Sequence, residues 1–224
     1  MPSDPYRHLY EDSEIFALDL VRRTADRTAL TRTEHAVRDL ANRHPTLTED
    51  DAAIALTGAL ARLAYTALHA AALRHQPPTA PFLADRPAPG AVHARDITDV
   101  LDLLDADLLS TDATVLGHAF VELTRLALAE RMPGGRPLHE SAAEPLGYAL
   151  ACAPEPADAL VPLVTRGAHL TLACLHHLLD LDLFPEPDTD AGTARTTGPG
   201  ALEQVLDGFE LYKITQQAAG AGAP

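Results

Sequence analysis

The sequence predicts an all-α protein, a single-domain helical bundle of six to eight helices. Three observations carry that prediction. Asp158 to Asp182 reads as one long helix that is apolar nearly all round, with Leu160, Leu163, Val164, Leu170, Leu175 and Leu179 among its members. At 100° per residue its polar side chains, Arg166, His169, His176, His177 and Asp180, share one narrow stripe. A helix of that kind must be surrounded by other helices on most sides. Glu49 to His75 is a second, alanine-rich helix with the same demand. Finally, no segment alternates apolar and polar residues with a period of two, and β-branched residues are scattered rather than clustered.

The elements follow in chain order. Ser13 is placed to cap a first helix carrying Ile15, Phe16, Leu18 and Val21, and Thr33 a second, Glu34 to Arg43, stopped before Pro45. Thr48, followed by Glu49, Asp50 and Asp51, is a strong start for the third: a capping hydroxyl, then carboxylates facing the positive end of the helix. Pro77 and Pro78 stop that helix near His75. The segment 76–95 holds five prolines and is expected to be an extended connection. Helices at Asp96 to Leu109 and Asp112 to Arg131 come next, the second stopped by Gly134 and Gly135. A short helix, Leu138 to Cys152, precedes the long one. A polar loop at 186–200 leads to a last helix, Ala201 to Gln217, and 218–224 is expected to be a disordered tail. Residues 1–217 thus form one domain, of a length that buries about 70% of the unfolded chain's surface.

Composition excludes several functions. The net charge is −15, from 32 acidic and 17 basic residues, so a phosphate-bound nucleic acid is repelled. A basic partner protein, a cationic ligand or a homo-oligomer is compatible with that balance. Residues 52–73 have the length of a membrane span, but they are mostly alanine and include Arg62 and His69, so a bundle helix explains them and no membrane is expected. Cys152 and Cys174 give no disulfide framework and fit free thiols in a reducing cytoplasm; the N-terminal residues lack a signal-peptide pattern. One lysine, Lys213, and no tryptophan, with abundant Ala, Leu, Arg and Pro, match the usage of a GC-rich bacterial genome.

Few residue patterns point to chemistry. Asp96, Asp99, Asp102, Asp105 and Asp107 crowd one short helix, where Ile97, Leu101, Leu104 and Leu108 form the buried face and the aspartates a solvated one. Asp102-Leu103-Leu104-Asp105 resembles half of the aspartate-rich motif of the all-helical isoprenoid enzymes, without its paired aspartate or a second metal motif. His118 and Glu122 stand four apart on one helix and could meet His169, His176 or Asp180 of another across the bundle, a ligand set suited to zinc or iron. His118-x3-Glu122 with His177-x4-Asp182 resembles fragments of the hemerythrin pattern, without its central pair of histidines. Gly58 and Gly167 interrupt strong helices at about 1 kcal/mol each, which implies close helix packing there. The expectation for function is a cytoplasmic, non-catalytic interaction or small-ligand-binding protein. The alternative is a small metal-dependent enzyme whose metal site is His118, Glu122, His169, His176 and Asp180.

Overall fold

The computed structural model describes residues 5–25, 29–75, 101, 114–132, 134–151, 153, 155–183 and 202–210. Among them the fold is all-α, with eight helical segments and no strand. They are α1 (Pro5–Ala25), α2 (Ala29–Arg43), α3 (Glu49–His75), α4 (Thr114–Glu130), α5 (Leu138–Ser141), α6 (Ala143–Ala151), α7 (Pro156–Leu183) and α8 (202–210). The connections at 76–95 and 186–200, the tail 218–224 and Cys152 lie outside the described residues, as do the five clustered aspartates. Leu101, which lies among those aspartates in sequence, is described and is buried in the core, as its place among the apolar positions of that segment predicts.

The two long helices are central, and their composition explains why. α3 packs on α1, α2, α4 and α7; α7 packs on α1, α2, α3, α4 and α6. A helix with neighbours on several sides cannot afford bulk everywhere, and α3 meets that limit with alanine: Ala52, Ala53, Ala55, Ala59, Ala61, Ala64 and Ala67 are all buried, with Leu56, Leu60 and Leu68 between them. α3 starts as its sequence requires. The Thr48 Oγ1 accepts a hydrogen bond from the Asp51 N–H at 3.1 Å, while Asp51 Oδ2 accepts from the Thr48 N–H at 2.9 Å. The box satisfies two of the donors that a helix N-terminus leaves open.

The α3–α7 contact is tightest around Gly167. A Cβ built there would stand 2.7 and 2.8 Å from the Phe120 ring of α4 and 3.5 Å from Leu60 Cδ1 of α3. Only a glycine lets three helices converge at that point. One turn on, Thr171 is fully buried and its Oγ1 donates to the Leu60 carbonyl at 3.2 Å, tying α7 to α3. Gly58 differs from expectation: a Cβ there would only touch Leu138 Cδ2 at an ordinary 3.7 Å, so close backbone approach does not explain it.

Two expected caps lie inside helices instead. α1 begins eight residues before Ser13, which is buried and donates its hydroxyl hydrogen bond to the Tyr10 carbonyl at 2.8 Å. α2 begins at Ala29, and buried Thr33 accepts a hydrogen bond from Thr165 Oγ1 of α7 at 3.0 Å. In both cases a hydroxyl that signals a helix start finds a carbonyl or a second hydroxyl within the bundle, and this removes its cost in a helix interior. The segment expected as one helix from Leu138 to Cys152 is broken at Ala142 into α5 and α6. Among the described residues no helix is long and apolar enough to cross a membrane.

Candidate functional site

α3 carries a polar and aromatic face in an otherwise aliphatic helix. Arg62, Tyr65, Thr66 and His69 follow one another at i, i+3, i+4 and i+7, so they stack on one side. Ala59 and Leu63 complete that side. It lines a cavity of about 360 Å³ together with Glu14 and Leu18 of α1, Arg131 just beyond α4, and Phe209 of α8. The walls are Leu18, Ala59, Leu63 and Phe209; the polar groups are two guanidiniums, an imidazole, a phenol, a threonine hydroxyl and a carboxylate.

The polar groups on α3 are held in place. Arg62 makes a bidentate pair with Glu130 of α4, Nε to Oε2 and Nη2 to Oε1, both at 3.0 Å. Glu130 Oε1 also accepts the backbone N–H of Leu138, the first residue of α5, at 3.0 Å. Burial raises the Glu130 pKa, but the bonds from Arg62 and Leu138 and the charges of Arg62 and Arg131 outweigh it, and the carboxyl titrates below its usual range. The Thr66 hydroxyl donates to the Arg62 carbonyl at 2.7 Å. The Tyr65 and His69 rings meet at a tilt of 39°, their centroids 5.7 Å apart. Burial pushes the Tyr65 pKa up, against the opposing pull of Arg131, so the phenol remains a neutral donor at physiological pH.

Arg131 owes its place to the end of α4. The last turn closes with the Arg131 N–H on the Leu128 carbonyl and the Met132 N–H on the Ala129 carbonyl, and Gly134 takes a positive φ of 78° that few side chains tolerate. That stop leaves Arg131 exposed at the cavity's edge. A second concavity, about 600 Å³ and more open, lies on the other side of Glu14 among Tyr6, Arg7, Tyr10, Glu11 and His139. It is larger, yet it has less of the enclosure that a small-molecule site needs.

The residues expected to bind metal are elsewhere. His118, His169 and His176 are exposed, and Glu122 is half-buried in an ion pair with Arg125. His169 Nδ1 bonds to the Thr165 carbonyl at 2.8 Å. The side chain of Asp180 lies outside the described residues. The orientation follows from the Phe120–Gly167 contact between α4 and α7. His118 and Glu122 each stand two residues from Phe120, and His169 stands two and His176 nine from Gly167. At about 100° per residue each is turned roughly 160–200° away from that contact. The two stripes are therefore not brought together across the α4–α7 interface, and among the described residues no three of His, Cys, Asp and Glu converge. Cys174 is buried, and burial pushes its thiol up to about 12, well away from nucleophilic use.

None of the residue patterns that point to chemistry in the sequence includes this cavity. Arg62 and His69 speak there only against a membrane span, and their spacing with Tyr65 and Thr66 on an aliphatic helix is the signal of the polar face. The contributions of α1, Arg131 and α8 come from distant parts of the chain and had none. The chain matches no protein family, no curated protein and no solved structure with which it was compared.

Proposed function

We propose that this is a cytoplasmic, non-catalytic protein of a GC-rich bacterium that binds a small ligand in the cavity between α1, α3 and α8. The observation that supports this reading is the cavity itself. About 360 Å³ falls within the roughly 300–1,000 Å³ typical of small-molecule sites. Apolar walls and a few fixed polar groups are the pattern of such sites. The Thr66 hydroxyl donates its proton to the Arg62 carbonyl and burial keeps the Tyr65 phenol protonated, so neither is poised as a nucleophile.

A ligand that binds the folded state raises its stability, by about 2.7 kcal/mol at a hundredfold excess over Kd. A thermal-shift screen of small amphipathic compounds is expected to yield hits whose effect is lost in Leu63→Trp, where the indole fills the cavity. Hits that persist unchanged in a folded Leu63→Trp protein would place binding elsewhere and sink the reading. The alternative, a zinc or iron enzyme using His118, Glu122, His169, His176 and Asp180, is tested by metal analysis of tag-free protein, where near-stoichiometric metal would favour it.

A further inference from the structure

We infer that the cavity takes a small amphipathic anion: an aromatic or branched aliphatic body carrying one carboxylate or sulfonate. This rests on the cavity being a ligand site. The charges that line it are not equivalent. Arg62 is held along one edge, through Nε and Nη2, by Glu130. Glu14 already has a partner of its own. Arg131 is different. It feels the field of Glu130 and acts on Tyr65, but it makes no hydrogen bond or ion pair among the described residues. Among the described residues it is the guanidinium of the lining that no carboxylate holds, and it is a planar donor suited to a carboxylate or sulfonate.

The neighbours extend the same preference. The Tyr65 phenol, kept protonated, lies within the field of Arg131 and adds a neutral donor. The body of the ligand would lie against Leu18, Ala59, Leu63 and Phe209. The chain's overall charge of −15 does not forbid an anion there. At physiological ionic strength, charges more than about 8 Å away are largely screened, whereas a guanidinium in direct contact is not. The local charge therefore decides ligand sign, and it reverses the cationic preference that net charge alone suggests.

Two fluorescent probes of the same aromatic frame test the inference on the full chain. Anilinonaphthalene sulfonate is anionic and phenylnaphthylamine is not. The sulfonate is expected to bind about tenfold more tightly than the amine. Arg131→Gln changes an exposed residue; it should cost the sulfonate about tenfold and leave the amine within about twofold. Phenylpropanoate is expected to displace the sulfonate, and phenylpropanamide is not. If both probes bind equally and Arg131→Gln affects neither, the cavity is a ligand site but the anion class is wrong. If Arg131→Gln weakens both alike, Arg131 shapes the cavity rather than reading charge, and the inference also falls. If neither probe binds the wild-type chain, the ligand-site reading itself fails.

Discussion

Single residues in this bundle are judged by what their neighbours leave open, and glycine shows this in both directions. Gly167 and Gly147 both sit inside helices, where replacement by alanine is worth about 1 kcal/mol in backbone terms. At Gly147 nothing lies within 4 Å of the new Cβ, so Gly147→Ala should stabilise the protein by most of that amount. At Gly167 the Cβ would press on the fully buried Phe120 ring at 2.7 Å. The ring is enclosed by the core, and overpacking of this kind costs about 1–3 kcal/mol. Gly167→Ala should therefore lower the melting temperature while Gly147→Ala raises it. A rise in both variants would show that Phe120 moves aside freely and that α4, α3 and α7 do not converge as described. Close packing at Gly167 was readable from the sequence, since a glycine in so apolar a helix needs a reason. The role of Thr171, one turn away, was not, because a threonine that bonds a neighbouring helix's carbonyl has the same letter as one that faces water.

At the scale of elements, the helices with strong apolar faces were legible, and the short or polar ones were legible as helices but less so in their starts and breaks. α3 and α7 demanded partners by composition, and Thr48 with Asp51 announced where α3 begins. α1 started earlier than its first apolar run suggested, because buried Leu9 and half-buried Tyr10 anchor its opening turns in the core. α8 is the element whose role depends most on partners far away in sequence. Leu202 and Leu206 bury against the bundle, and Arg22 of α1 reaches Glu203 at 3.3 Å, Asp207 at 2.7 Å and Glu210 at 2.8 Å. Burial opposes the charge of Arg22, but the hydrogen bonds it donates to Glu210 and Asp207, with their charges, more than compensate, so its pKa is raised. The partner carboxylates are 54%, 70% and 33% exposed, and ion pairs of that kind contribute about 0–1 kcal/mol each. Truncating the fully buried Leu206 should cost about 2–5 kcal/mol. Apolar burial thus holds α8, and Arg22 sets its orientation over the cavity. Hydrogen exchange should register this order: amides of 203–210 lose protection strongly in Leu206→Ala and weakly in Arg22→Gln. An equal or larger loss in Arg22→Gln would show that the ionic contact, not the leucine, docks the helix.

For the molecule as a whole, Glu130 is where distant parts of the bundle meet at one carboxylate. It ties Arg62 in the middle of α3 to the end of α4 and the start of α5, and it leaves Arg131 facing the cavity. Its side chain is 20% exposed, so these charge-assisted bonds are only partly screened. Removing its charge in Glu130→Gln should cost on the order of 1–3 kcal/mol at neutral pH. The dependence on pH has a definite sign. The folded-state pKa of Glu130 lies below the unfolded value, so its contribution is fully present above about pH 4.3, the ordinary glutamate value, and is lost as pH falls through the lower folded value. The protein carries 32 acidic residues, and their protonation changes stability in both proteins alike. The difference between wild type and variant cancels that shared effect and isolates one carboxylate. Urea midpoints measured at pH 7, 5 and 4 and below, with unchanged slope, should give a wild-type advantage that is constant at the first two values and shrinks beneath about pH 4. An advantage that stayed constant throughout would mean that the Arg62–Glu130 pair contributes no ionic stabilisation, and that apolar packing alone fixes the relation of α3 to α4 at the cavity.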